Sequence, residues 1–412
     1  GKTTLIIKLI LELLQIDNFL NVGISAPTGK ATARLKEALN DKKNISFSKF
    51  LDQIEFQTLH RWILNSQNKS LKLKFKLKEL DIFIIDEMSM VNIDLIESVL
   101  NLLAKDCKII LVGDKNQLSP VNNCSIWNYL FEYCDNSSIK SCVVNLEKTY
   151  RNIGDIALIS SLIFNNDFSL LNQKIKELEK DNNSKEITIS KSREKDIPKD
   201  LLFSITSHLK QLNISTSNLS KKKYIFDESI DNLLLNEKDL VDKIFLDLQS
   251  HLILCEKNSG IWSVEYLNEI VFGQKKPYDL KTLNEGVPIM CTKNNNELGL
   301  SNGDIGVLIG LKNKRKYLFR KFNDNNEEIV TLIDPSNLEN VVPAIAITIH
   351  KSQGSESEKV NILWSQNYRR NQYAVKEKKD NQNIFCRDNF ERRLFYTAVT
   401  RAKKSLNIYY LN

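Results

Sequence analysis

The sequence predicts an α/β fold with parallel sheets, interrupted once by a small all-β module, and three observations lead there. Short, nearly continuous apolar runs recur between helix-patterned stretches, as buried parallel strands do. A polar motif follows each of the early runs at once, where open α/β sheets place their ligands. Late in the chain, hairpin-turn signals replace the alternation over about 55 residues.

The opening stretch "GKTTLIIKLI" places Leu5, Ile6, Leu9 and Ile10, with Leu13 and Leu14, on one face of a helix. Its first four residues, Gly1, Lys2, Thr3 and Thr4, supply the last part of G-x-x-x-x-G-K-[ST], whose backbone amides cradle phosphates at a helix N-terminus. Taken alone, they read equally well as a helix start capped by threonines. "NVGISAP" (Asn21 to Pro27) then predicts a strand ending in a turn, followed by the helical "GKATARLKEAL". "LDIFIIDE" (Leu80 to Glu87) and "CKIILVGD" (Cys107 to Asp114) predict two more buried parallel strands.

Before the "DIFIID" strand lies "KSLKLKFKLK", where Lys72, Lys74, Lys76 and Lys78 alternate with Leu71, Leu73, Phe75 and Leu77. Period two predicts a strand with all four lysines on one face. Such a strand is either an edge protected by charge or a ribbon that tracks phosphates. From about Phe168 to Ser229 the composition turns polar and periodicity weakens, which predicts a loosely packed insertion. "EGVPIMCTKNNNELGLSNGDIGVLIGL" predicts strand, turn at Asn302-Gly303-Asp304, and strand; "KYLFRKF" and "EEIVTLID" add two more. "AIAITIH" and "SLNIYYL" restore the α/β strand pattern, and no solenoid-type repeat is present.

With 412 residues the chain is long enough for two or three cores. The net charge is +7, and between Arg369 and Lys404 eleven Lys/Arg face four Asp/Glu, so that one stretch holds a surplus of seven. A surface facing nucleic acid is the reading favoured over a solvated basic loop. Seven scattered cysteines without a C-x-x-C pair argue against a disulfide framework and a zinc knuckle, and predict a reducing compartment. No apolar run approaches the length of a membrane span and no cleavable signal stands at the start, so a cytoplasmic protein is expected.

Several motifs carry chemistry. In "IIDEMSM", Asp86 and Glu87 end an apolar strand, which suits a magnesium-holding carboxylate followed by one that orients water, or else a simple helix cap. In "LVGDKNQLSPV", Gln117 has the reach to contact a γ-phosphate or the water, while Asp114 suits a turn cap. Arg151 in "LEKTYRN" and Arg401 in "YTAVTRAKKSL" are candidate arginine fingers or, individually, ordinary ion-pair partners. His60 and His350, two of four histidines, sit beside hydroxyl and basic residues; DNA contact and a structural hydrogen bond are both open to them. Trp62 is a candidate for base stacking, with a core position the competing reading.

In this order, "GKTT", "SAPTGKATARL", "FQTLHRWI", "IIDEMSM", "VGDKNQLSPV", "KTYRN", "ITIHKSQGSE" and "YTAVTRAKKSL" resemble the motifs of superfamily 1 helicases. The "TLHR" and "HKSQGSE" forms, with "LGLSNGDIG" before the latter, are similar to the RecD family, the alpha subunits of exodeoxyribonuclease V (the RecBCD complex). The resemblance runs from Gly1 to about Asn412, apart from the polar insertion and a basic stretch near Tyr368 to Asn389.

That resemblance implies two RecA-like P-loop domains with parallel sheets and a small SH3-like β insertion. Their expected extents are 1–146 for the first domain, 147–285 with 341–412 for the second, and 286–340 for the SH3-like module. It implies an ATP-dependent 5′ to 3′ DNA helicase using ATP and Mg²⁺, in a heterotrimer with RecB-like and RecC-like subunits. Its DNA would be single-stranded or carry ends, and the complex would unwind and degrade DNA from double-strand ends in recombinational repair. The competing reading is a degenerate, non-catalytic DNA-binding or scaffolding subunit. Carried over, Lys2 would reach the β- and γ-phosphates, Thr3 and Asp86 the Mg²⁺, and Glu87 the water. Gln117, Arg151 and Arg401 would face the γ-phosphate, with Gly1, Thr4, Gly354 and Glu356 nearer the nucleotide. Pro27, Thr28, Lys30, Thr58 and His60, then Thr348, His350, Lys351, Ser352 and Gln353, would touch DNA. Because the chain begins inside the Walker A pattern, these 412 residues by themselves are expected to bind ATP poorly and to be an N-terminally truncated form.

Overall fold

A computed structural model of the protein describes residues 2–29, 31–32, 35–36, 50, 52–67, 75–119, 126–135, 141–146, 154–180, 186–192, 196–222, 237–295, 297–310, 314–322, 328–365 and 385–411. The chain divides into two compact units, Gly1–Arg151 and Asn152–Asn412.

In the first unit, helix α1 (Lys2–Ile16) precedes strand β1 (Val22–Ala26). Then come β2 (Ile54–Thr58), α2 (Leu59–Gln67), β3 (Ile82–Ile85), α3 (Ile93–Leu100), β4 (Lys108–Leu111) and α4 (Ile126–Asp135). All strand pairings are parallel, in the order β2-β1-β3-β4. Alternation along the strands divides the core in two. Val22, Ile24, Ile82 and Ile84 pack with Ile6, Ile7, Ile10 and Leu14 of α1. Phe83 and Ile85 pack with Trp62, Ile96, Val99 and Trp127 on the other side. A sheet covered on both faces buries its central strands throughout, so β3 is wholly apolar and β1 is apolar but for Ser25 near its carboxyl end.

Two expectations are corrected in this unit. Strand β4 is an edge strand and half exposed, with Ile109 at 38%, so "CKIILVGD" is not a fully buried strand. The alternating lysines do not build a strand where they are described: Leu77–Glu79 is a short 3₁₀ turn, closed by the Lys76 amide donating to Glu79 Oε2 at 3.0 Å. Leu77 is the reason, because its side chain is wholly buried in the core beside Leu80 and draws the chain inward. Lys72 and Lys74 lie outside the described residues.

The second unit begins with α5 (Gly154–Phe164), α6 (Phe168–Lys180), β5 (Ile187–Ser192), α7 (Lys199–Ser220), α8 (Lys238–Ser250), β6 (His251–Cys255) and α9 (Val264–Phe272). It continues through β7 (Pro288–Cys291), β8 (Ile305–Ile309), β9 (Lys316–Phe322), β10 (Glu328–Ile333) and β11 (Val341–Pro343). It ends with β12 (Ile347–Thr348), β13 (Ser357–Ser365), α10 (Asn389–Val399) and β14 (Ala402–Leu411). Strands β12-β6-β13-β14-β5 form a second all-parallel sheet, and β10-β9-β8-β7-β11 form an antiparallel one. The fold class is therefore α/β with two parallel sheets and one separate β module.

The loosely packed insertion expected over 168–229 is corrected as well. Within it, β5 pairs along its whole length with β14, and α7 is a 22-residue helix. Leu201 and Ile205 of α7 enter the same core as Ile253, Leu363 and Tyr409. The apolar positions are spaced a helical turn or more apart among Lys, Ser and Asn, so composition hides a face that periodicity still carries. Residues 181–185, 193–195 and 223–229 of that stretch lie outside the described residues.

The β module is fastened to α7. Glu285 accepts hydrogen bonds from Ser217 Oγ, from Ser220 Oγ at 2.9 Å and from the Gly310 amide at 3.2 Å. Gly286 has φ +86, and a Cβ there would meet the Asn213 backbone nitrogen at 2.5 Å, so this entry point requires glycine. Arg320 pairs with Asp242 at 2.5 Å and lies over the Phe245 ring at 4.5 Å, tying β9 to α8.

Candidate nucleotide and DNA sites

Register brings the first unit's motifs to one edge. Ala26 pairs with Thr58, and Ile85 pairs with both Ser25 and Leu111. The residues just past these positions are Pro27 and Thr28, His60, Asp86 and Glu87, and the turn carrying Gln117. All follow carboxyl ends of parallel strands. Lys2 in the first turn of α1 joins them, with Nζ 3.9 Å from Glu87 Oε2.

The local backbone explains the placement of the carboxylates. The Asp86 amide donates to Ser25 O at 2.9 Å, and the Glu87 amide donates to Asp86 Oδ1 at 2.8 Å. Glu87 itself is left-handed, at φ 53, before a 3₁₀ turn over Met88–Met90. A non-glycine residue there is strained, and such strain concentrates where a side chain must be aimed. The alternative reading of Asp114 as a turn cap holds: its Oδ1 accepts from the Asn116 amide at 3.0 Å.

Lys2 Nζ, Glu87 Oε2 and Gln117 Oε1 are all buried atoms with no hydrogen-bond partner among the described residues. Buried polar groups are almost always satisfied, so a cation, an anion and an amide oxygen left this way fit a ligand with phosphates and a metal ion. Sequence reasoning passed over two residues of this kind, Ser25 and Ser89, whose buried Oγ atoms are likewise without a partner among the described residues. Both stand inside quoted motifs, "GISAP" and "DEMSM", which was the signal available. Thr3 is half-buried and Thr4 exposed in the same helical turn. Gly1, Lys30 and Arg151 lie outside the described residues.

Among the first unit's candidates for DNA contact, Thr58 Oγ1 accepts from the Arg61 amide at 3.4 Å and so caps α2, while His60 is exposed. Thr28 Oγ1 accepts from the Ala31 amide at 3.2 Å. Trp62 is a core residue: it is wholly buried, lies edge-on to Phe83 at 5.6 Å and directs Nε1 at Ile24 O at 3.4 Å. That burial removes it as a base-stacking candidate.

In the second unit the candidates separate into two groups. Thr348 pairs with Cys255 near the carboxyl end of the sheet, and a 3₁₀ turn over His350–Ser352 follows. Ser352 Oγ donates to Ile349 O at 2.7 Å, which fixes that turn. Burial pushes the His350 imidazole down from its ordinary pKa, and burial with Lys276 nearby does the same to Lys351. Gly354, at φ 70, turns the chain back toward the start of β13. There Glu356 pairs with Lys403 at 3.3 Å, and the Ser357 amide donates to Arg401 O at 2.9 Å. Gly354, Glu356 and Arg401 thus meet at the amino-terminal ends of β13 and β14. Arg401 is no surface ion pair: its guanidinium is buried and donates to Thr397 O, Ser355 O and Thr400 Oγ1 at 3.0, 3.1 and 3.1 Å. Among the described residues, no helix is long and apolar enough to cross a membrane.

A family model described as an AAA domain matches residues 1–123, and one described as the UvrD-like helicase C-terminal domain matches residues 311–412. The chain is 30% identical over 454 residues to the RecBCD enzyme subunit RecD of Buchnera aphidicola subsp. Schizaphis graminum, covering 99% of this chain and 68% of that protein. It is 28% identical over 441 residues to the corresponding subunit of Buchnera aphidicola subsp. Acyrthosiphon pisum, with coverage of 99% and 68%. Against the RecD subunit of Haemophilus influenzae the identity is 27% over 461 residues, covering 99% and 65%. A solved structure of Pif1 helicase from Bacteroides, in complex with ADP-AlF3 and ssDNA, aligns over 98% of this chain and 91% of that chain at 17% identity, with a TM-score of 0.43.

Proposed function

Because the chain belongs to the RecD family of superfamily 1 helicases, we propose that it is an ATP-dependent DNA helicase moving 5′ to 3′. In this reading it assembles with RecB-like and RecC-like subunits and serves the processing of double-strand ends in recombinational repair. One observation carries the catalytic part: Lys2, Asp86, Glu87 and Gln117 stand past the carboxyl ends of one parallel sheet, and the buried Lys2 Nζ, Glu87 Oε2 and Gln117 Oε1 have no hydrogen-bond partner among the described residues.

Lys2 supplies positive charge to the phosphates of ATP, and Thr3 with Asp86 would hold Mg²⁺. That ion, when bound, neutralises charge on the phosphate oxygens. Glu87 orients the attacking water and accepts its proton at a carboxylate oxygen, while Gln117 holds the water or the γ-phosphate by its amide. Arg151 and Arg401 are assigned to the γ-phosphate by their motifs alone. Pro27, Thr28, Lys30, Thr58 and His60 in one unit, and Thr348 to Gln353 in the other, contact the DNA backbone through hydroxyl, amide and ammonium groups. Such contacts read no sequence, as a motor requires.

The test is ATP turnover by the purified chain at ATP concentrations raised to saturation, with and without single-stranded DNA, beside the Glu87→Gln variant. DNA-stimulated turnover that the variant loses is expected. Equal, unstimulated turnover in both, with DNA binding intact, would overturn the motor reading in favour of a scaffolding subunit.

A further inference from the structure

A cavity of about 150 Å³ opens at the carboxyl edge of the second unit's parallel sheet. Glu256 and Lys257 follow β6, Ser365 ends β13, His350 forms one rim, and Phe390 and Leu394 come from α10. Its position is chemically meaningful. The chain runs from β6 to β12 on one side of it and then to β13 on the other, so strand order reverses there. Open parallel sheets take their ligands in that crevice.

The lining argues for an uncharged, flat occupant. Arg387 grips Glu391 through two bonds, Nε to Oε2 at 2.9 Å and Nη2 to Oε1 at 2.7 Å. The Glu256 carboxylate accepts from the Ser365 amide at 2.7 Å and from Ser365 Oγ at 3.2 Å. Two carboxylates and two cations line the space, so it offers no net charge to a phosphate. Phe390, by contrast, is a large apolar ring left 42% exposed, and it lies 6.0 Å from the His350 ring at an interplanar angle of 31°. A volume on the order of 150 Å³ holds one six-membered ring.

We propose that this cavity takes up a single unpaired nucleobase, turned out of a DNA strand that passes His350 and stacked on Phe390, with pyrimidines favoured by size. The inference rests on the reading of His350 to Gln353 as a single-strand contact and adds a base-holding residue that the motifs do not contain. Glu256, an acceptor at the cavity wall, suits the amino or imino hydrogen that every base offers.

Fluorescence anisotropy of labelled oligo-dT with the full chain, at several salt concentrations, tests it. Phe390→Ala is expected to weaken binding about tenfold, the loss of one stacked base, without changing the salt slope. Phe390→Trp should restore affinity. Lys351→Ala should lower the slope by about 0.7, as loss of one phosphate contact does. Strands with one abasic residue scanned along their length should bind wild type about tenfold worse at one position and Phe390→Ala no worse there. If Lys351→Ala weakens binding while Phe390→Ala binds normal and abasic strands as wild type does, the cavity inference alone is overturned. If both variants bind like wild type, the single-strand reading falls with it. Thermal melting of both variants, expected near wild type because each side chain is partly exposed, keeps a folding defect from imitating either result.

Discussion

Lys2 Nζ and Glu87 Oε2 approach to 3.9 Å, one from the first turn of α1 and the other from the turn after β3, and neither has a hydrogen-bond partner among the described residues. A charge-assisted hydrogen bond is about 2.7–2.9 Å long, so the two are held near each other without being locked together. Each is nonetheless the other's neutralising charge. Lys2→Met and Glu87→Gln should therefore each destabilise the first unit, and the double variant should be less affected than their sum. A coupling of about 0.5–3 kcal/mol, read from urea midpoints in a double-mutant cycle, is expected. Strict additivity would show that the pair does not interact.

Backbone strain at Glu87 is separable from its charge. Asparagine tolerates the left-handed region and valine does not. Glu87→Asn and Glu87→Val both remove the carboxylate, so both should lack turnover. The valine variant should be less stable by roughly 1–3 kcal/mol. Equal denaturation midpoints would mean that the φ of 53 is not held in solution.

Arg401→Ala should do two things, because the same guanidinium that is a candidate for the γ-phosphate also satisfies Thr397 O and Ser355 O. Turnover should fall by about 10³-fold or more while nucleotide binding persists. Stability should fall by about 1–3 kcal/mol as buried carbonyl groups lose their donor. Arg401→Lys should recover part of the stability and little of the turnover, since an ammonium cannot reproduce the planar fork. Parallel recovery of both would argue that the arginine is structural only.

Acid should loosen the second unit through a buried histidine pair. The His208 and His251 rings meet edge-on at 4.9 Å, and the Asn361 amide faces His251 Nε2, which therefore acts as an acceptor and is neutral. Burial lowers His208 to about 4 despite Asp247, with Lys359 adding to the shift. Burial, His208 and Lys359 lower His251 to about 3. The unfolded chain takes up these protons near pH 6.5 and the folded chain does so only near pH 4 and 3, so stability is full above about 6.5 and declines below it. Each histidine contributes a slope of up to about 1.4 kcal/mol per pH unit within its window. Urea midpoints measured from pH 7 to pH 4 should fall more steeply for wild type than for His208→Gln; identical profiles would remove the histidine from the account.

Much of the site was legible because strand ends announce themselves. In "LDIFIIDE" four residues buried on both faces of the sheet must be apolar, so the change to Asp86 and Glu87 marks both the end of β3 and the ligand-facing edge. The same logic located Pro27 and Thr28 after β1. It failed at "KSLKLKFKLK", where a perfect alternation was overridden by the burial of Leu77, and over 168–229, where sparse apolar residues still build α7 and β5. Phe390 gave no signal at all, since one aromatic residue in a basic stretch says nothing about the cavity it borders.

By itself, the amino-acid sequence determined most of the parallel strands, the order of the motifs and the family, because apolar periodicity and motif spacing are properties of neighbours along the chain. Tertiary structure alone decided that Lys2 meets Glu87, that Arg401 is buried among carbonyl oxygens, that Trp62 belongs to the core and that Ser365 holds Glu256. Those relationships depend on sheet order and strand register, which are set by the simultaneous burial of two faces of each sheet and are contained in no local window of residues.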